Sequence, residues 1–198
     1  MSKRCILILV SFLLVSCVQH ETDDLVAPSS DKIYASIDTL GTKVQLNSSM
    51  QTVWTKNDVI LVNGPDSYAY YMFDGDTGDR SGTFSKHSED YEYPNPYPFD
   101  KYYALYSESG FLRRYYSNGK MYFFMDFPAT QEYLPHSYGL EANMMLGVSD
   151  DGVNYKFKNL MGYLKLSVTG DKVIRSIELS GNNNENLSGE YYFNMSDV

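Results

Sequence analysis

The sequence predicts an all-β sandwich, and three observations predict it. Residues 155–193 carry three runs in which apolar and polar side chains alternate. Glycine-marked breaks separate the runs, and no helical period occurs within them. In the first run Leu164, Leu166 and Val168 alternate with Lys165, Ser167 and Thr169, which places an apolar row on one face of a strand and a polar row on the other. Gly170-Asp171 ends it. The second sets Ile177 and Leu179 against Ser176, Glu178 and Ser180, and Gly181-Asn182-Asn183-Asn184 supplies residues that tolerate the left-handed conformation of a tight reversal. The third sets Tyr191, Phe193 and Met195 against Glu190, Tyr192 and Asn194. Such a meander has half-buried strands, so each requires a covering layer.

From the start of the chain, Lys3-Arg4 precede the apolar run Ile6 to Val15. This is about half of the roughly twenty residues that span a bilayer, so it reads as an export signal. Leu14-Val15-Ser16-Cys17 has the form of a bacterial lipobox, with Cys17 as the acylated first residue of the mature protein. The simpler alternative is a plain secretory signal with an incidental cysteine. Both cysteines of the chain are then spent, Cys5 leaving with the signal and Cys17 carrying lipid. The mature chain is therefore expected to hold no disulfide, thiol nucleophile or cysteine metal site. A domain of this size buries roughly 70% of its unfolded surface, so it can stand on its core alone.

Residues 17–31 are polar, include Pro28-Ser29-Ser30, and read as an acidic tether. The first strand pair is Lys32 to Asp38 and Lys43 to Leu46, joined through Leu40-Gly41. Trp54 opens the next strand, and Val59 to Val62 is apolar enough to be buried on both sides. As the single tryptophan, Trp54 suits a core plug better than a ligand platform. Asn63-Gly64-Pro65-Asp66 is a turn leading to the strand Tyr68 to Phe73.

Asp74-Gly75-Asp76-Thr77-Gly78-Asp79 invites a calcium reading, because hard cations want clustered oxygens. The EF-hand pattern fails, since Gly78 takes the third ligand position and Ser85 replaces the closing glutamate, so a hairpin loop is expected. Lys86 to Asp100 crowds Tyr91, Tyr93, Pro94, Pro96, Tyr97 and Pro98 among acids, and its prolines exclude a central strand. Its tyrosines Tyr91, Tyr93 and Tyr97 suit sugar stacking or protein contact, or else fold back over the sandwich edge. Lys101 to Tyr106, Lys120 to Phe127 and Asn143 to Val148 are further strands. They are linked by the Arg113–Tyr116 stretch and by Pro128 to Gly139, where a short helix has room.

The string Phe157-Lys158-Asn159-Leu160-Met161-Gly162-Tyr163-Leu164-Lys165-Leu166 precedes Val168-Thr169-Gly170, then Ile174 to Asn183 and Leu187-Ser188-Gly189. Together these blocks resemble the fimbrillin-like (Mfa-like) lipoproteins of Gram-negative gut and oral anaerobes. Trp54-Thr55-Lys56-Asn57-Asp58-Val59-Ile60 resembles that family's tryptophan strand, with Asn57 where glycine is usual. Tyr103–Tyr106, Phe127–Gln131 and Ala142–Met145 resemble later blocks, with Met144 where proline is common. The likeness spans roughly residues 30–195 and identifies a scaffold rather than a chemistry.

The resemblance implies a transthyretin-like Greek-key sandwich of about seven strands and a role in fimbriae or surface adhesion, assembling by β-strand addition. The acidic Val18–Asp24 segment resembles the tag that sends such lipoproteins to the cell exterior, unless it is only a solvated tether. Asp38-Thr39-Leu40 resembles an O-glycosylation acceptor, with Thr39 modified. The expected organisation is a signal peptide over 1–16, a tether over 17–31 and one β-sandwich domain over 32–198, without the second domain usual among related pilins.

The charge balance argues against nucleic acid as a partner. Without Lys3 and Arg4, 14 basic residues face 25 acidic ones, a net charge of −11, and phosphate neutralisation needs Lys and Arg. Of the histidines, His20 lies in the tether, and neither His87 nor His136 sits in a hydrolase or zinc motif. No enzyme, cofactor or metal is therefore expected. The sequence reads as an outer-membrane, lipid-anchored, surface-exposed fimbrial or adhesin protein, its partners being other subunits or surface ligands. The alternative is a lipid-anchored glycan-binding module using Tyr91, Tyr93 and Tyr97.

Overall fold

The computed structural model describes residues 30–38, 45–46, 52–93, 101–107, 113–118, 120–132, 134, 138, 142–162, 164, 166–183 and 185–195. All the regular structure among them is β, in thirteen strands. These are β1 (Lys32–Ile37), β2 (Gln45–Leu46), β3 (Thr52–Val53), β4 (Val59–Asn63), β5 (Ser67–Phe73), β6 (Ser81–Lys86) and β7 (Tyr91–Glu92). There follow β8 (Tyr102–Ser107), β9 (Arg113–Ser117), β10 (Lys120–Phe127), β11 (Met144–Ser149), β12 (Asn154–Asn159) and β13 (Gly189–Asn194).

The main sheet runs β4-β8-β11-β12-β1-β6-β5, and β4 also pairs with β5, so it closes into a barrel. The ladders are antiparallel except β1 with β12, where Tyr34 to Ile37 run parallel to Asn154 to Phe157. The short β7 adds to β5 beyond the end of β6. A separate antiparallel sheet, β13-β10-β9, packs on the outside of the barrel.

Alternation decides which side chains enter the barrel. Ile33, Ala35 and Ile37 of β1 meet Ala69, Tyr71 and Phe73 of β5, Phe84 of β6, and Tyr155 and Phe157 of β12 in one core. Trp54 lies at its centre, fully buried, with Phe84, Tyr106 and Phe157 edge-on at ring separations of 5.0, 5.6 and 5.3 Å. It is the core plug that its composition suggested. Gly147 makes room for this packing, because a Cβ there would come 2.7 Å from the Phe157 ring.

Strands β8 and β11 are buried on both faces, against the usual pattern for antiparallel strands. Their inward residues Tyr102, Ala104, Tyr106 and Met145 fill the barrel. Their outward residues Tyr103, Leu105 and Leu146 meet Met121 and Phe123 of β10, with Met195 beside them. The second sheet is thus a lid over these two strands.

Several local expectations are met. Val59 to Asn63 is nearly all buried, and β10 covers Lys120 to Phe127 as predicted. The acidic stretch 74–79 is the β5–β6 hairpin loop, which clamps the backbone of Trp54, a residue between β3 and β4 rather than the opening of a strand: Trp54 N donates to Asp79 O at 2.6 Å and Gly78 N to Trp54 O at 3.0 Å.

The expected first strand pair does not form, because β1 lies between β6 and β12 while β2 pairs with β3 in a small sheet of its own. Three further expectations need correction. Arg113–Tyr116 is not a link but strand β9, because its alternate residues pair with Tyr122 and Phe124 of β10. Tyr91–Glu92 is a short strand rather than loop, completing the ladder along β5. The third correction is larger. Of the three alternating runs, 189–194 alone is a strand; residues 164 and 166–180 carry no ladder and expose their apolar side chains. No helix forms at the described positions of 128–138.

Candidate functional site

The aromatic residues singled out in the sequence lead to a cluster on the outside of the barrel. Tyr68 and Tyr70 point out from β5 because Ser67, Ala69 and Tyr71 point in. The register sets Tyr91 of β7 opposite Tyr68, and the two rings stack at 4.8 Å between centroids. Tyr70 meets the edge of Tyr91 at 6.4 Å. Tyr91 remains 45% exposed on the outside of the barrel.

Tyr93 behaves differently. Its backbone N–H donates to Asp66 O at 2.8 Å, holding the segment against the β4–β5 turn. Its ring tilts over Tyr68 at 5.7 Å, and its hydroxyl donates to Asn63 Oδ1 at 3.0 Å. This is the folded-back arrangement, and it makes Tyr93 a support for Tyr91 rather than an equal contact.

Arg114, from the separate sheet, completes the cluster. Its guanidinium carbon lies 3.5 Å from the Tyr68 ring centroid, and Nη1 donates to Asn63 Oδ1 at 2.6 Å and to the Tyr93 hydroxyl at 3.2 Å. A planar guanidinium can stack and hydrogen-bond at once, which an ammonium cannot. Asn63 is itself buried and donates to Leu61 O at 3.3 Å. The sequence offered no cue to Tyr68, Asn63 or Arg114 as members of this site, because they converge from three strands. The period-2 rule could have put Tyr68 on the outer face, but not beside Arg114.

Chemically the cluster is a stacking surface backed by one cation, with no carboxylate, thiol or imidazole among its residues. Among the described residues no group of three or more His, Cys, Asp or Glu side chains is placed to hold a metal ion. Cys17, Thr39 and Tyr97 lie outside the described residues, and no described helix is long and apolar enough to cross a membrane.

The strongly shifted tyrosines lie inside the barrel instead. Burial pushes the Tyr71 phenol up to about 12, with Asp90 and Asp31 adding to it. Burial also raises Tyr102 and, further still, Tyr155, to which neighbouring Tyr71 and Tyr102 contribute. Tyr71 donates to Ser30 O at 2.9 Å, whereas the Tyr155 hydroxyl and Trp54 Nε1 find no partner among the described residues. These are neutral packing phenols. Comparison with family models, with curated proteins and with solved structures finds no match.

Proposed function

We propose that this chain is a cell-surface lipoprotein of fimbrial-subunit or adhesin type, anchored through Cys17, without catalytic activity, and assembling by β-strand addition. The observation that carries the reading is the stretch from Leu164 to Leu187. It has the alternation of half-buried strands, yet its apolar residues lie open, with Val173 96% and Leu164 66% exposed. A large exposed apolar stretch marks an interaction surface, and a strand-patterned one suits main-chain pairing with another chain. The block resemblance and the lipobox support the surface placement, and Thr39 would carry any O-glycan. The lid of β9, β10 and β13 layered on β8 and β11 supports the two-layer, transthyretin-like Greek-key arrangement that the resemblance implies.

The test is an immunoblot of outer-membrane and shed fractions with and without boiling, together with intact mass. A ladder that collapses on boiling supports assembly. A single lipidated band, with unchanged attachment and unchanged extracellular fibres on deletion, overturns it.

A second reading, glycan binding, is favoured by one feature: the exposed Tyr91 stacked on Tyr68. Rigid tyrosines give contact area at low entropic cost. Tyr91→Ala should abolish binding on a glycan array if this reading holds, and Tyr97→Ala should weaken it. Unchanged binding, or none by the parent protein, ends it.

A further inference from the structure

The outer face of the three-stranded sheet is a second aromatic surface. Because Met121, Phe123 and Met125 point inward, β10 turns Lys120, Tyr122, Phe124 and Asp126 outward. The register brings Tyr115 of β9 beside Tyr122, stacked at 5.0 Å. On the other side, Tyr192 of β13 lies edge-on to Phe124 at 5.2 Å and to Tyr115 at 5.6 Å. Tyr192 is 54% exposed.

One end of this face is unfavourable as it stands. The register sets Asp126 opposite Glu190, both exposed, and neither forms an ion pair among the described residues. Like charges directly across a ladder cost stability, so the pair needs a reason beyond the fold. A cation with an apolar body, brought from outside, would supply one.

The chain carries such a body. In strand register, Val173, Arg175, Ile177 and Leu179 share one row, an apolar stripe holding a single guanidinium. All four are exposed, Ile177 at 55% and Leu179 at 58%. We propose that this row, from a second copy of the chain, packs on the aromatic face of β9-β10-β13, with Arg175 placed between Asp126 and Glu190. This rests on the assembly reading above and names the face that receives the side chains of the incoming segment. The apolar residues gain the covering layer that alternation demands, and the arginine gains charge-assisted hydrogen bonds and aromatic contact together.

The test is performed in intact cells with two differently tagged full-length copies. One carries Ile177→Cys and the other Tyr192→Cys, or Lys120→Cys as a second exposed position; chains lacking the introduced cysteines are the control. A bismaleimide cross-linker should join the two tags. Arg175→Glu should reduce that product at least tenfold, and Asp126→Lys with Glu190→Lys in the acceptor copy should restore it. Three results overturn the proposal. Association indifferent to these charges removes the acceptor face but leaves assembly standing. Cross-linking that stays within one copy when both cysteines are placed in the same chain, or that joins a different protein, shows another occupant. A monomeric band throughout removes the proposal and the assembly reading together.

Discussion

Asn57 has φ +69°, in the left-handed region where a side chain with a Cβ is strained. It sits in the turn between Trp54 and β4, closed by Asp58 N donating to Thr55 O at 2.9 Å and by Thr55 N donating to the Asp58 carboxylate at 2.7 Å. Asparagine is among the few non-glycine residues that accept this conformation, which is why it can hold this turn position. Asn57→Val should destabilise the fold by about 1–2 kcal/mol, and Asn57→Gly should be close to neutral, as read by denaturant titration. Asp151 is the other residue with a local task. Its carboxylate accepts hydrogen bonds from Asn154 N, Asn154 Nδ2, Val153 N and the Ser149 hydroxyl, which hold it well below its ordinary value. A depressed folded value means that stability is present above about pH 4 and falls as the pH drops further. Asp151→Asn should flatten that acid limb in a stability-against-pH series; an unchanged slope would deny Asp151 the role.

Among the elements, the three-stranded sheet depends on one polar pin as well as on its apolar face. Arg114 reaches from β9 to Tyr68 of β5 and Asn63 of β4, so it ties the lid to the barrel. Arg114→Ala should cost about 2 kcal/mol, the range for a hydrogen bond to a charged group. Arg114→Lys should recover only part of it, and hydrogen exchange should rise selectively in β9 and β10. Strands with one buried face were legible in the sequence: β1, β5 and β10 lie where alternation puts them. The tyrosine stretch of β9 was not, because its pairing with Tyr122 and Phe124 of β10 is a tertiary contact that its own pattern does not announce. Runs 164–169 and 176–180 fail for the converse reason. Period-2 alternation reports that a strand would have one side to bury, not that a neighbour lies within reach. The candidate site was half legible: Tyr91 and Tyr93 could be singled out by type, but their tertiary partners could not.

On the scale of the whole molecule, the barrel interior is built from aromatic rings as much as from aliphatic side chains, and four of those rings are phenols. Tyr71, Tyr102 and Tyr155 all titrate above the ordinary 10.0. For an acid, a raised folded value means the unfolded chain loses its proton first, so stability is full below about pH 10 and falls above it. Alkaline unfolding should begin between pH 10 and about 12, the upper value being that of Tyr71. Phenolate absorbance from the barrel tyrosines should rise together with loss of circular dichroism, in one cooperative step. A single non-cooperative rise would contradict buried phenols.

The parallel seam between β1 and β12 also sets a timetable. Ser36 bonds to the carbonyl of Tyr155 at 3.5 Å, across 119 positions of sequence. Until residues 154–157 are available, β1 has β6 alone beside it and the cylinder stays open. Closing so long a loop precedes most of the contacts that reward it, which slows folding. Because β12 is the last of the barrel strands in chain order, the cylinder shuts only once every other stave has already been supplied.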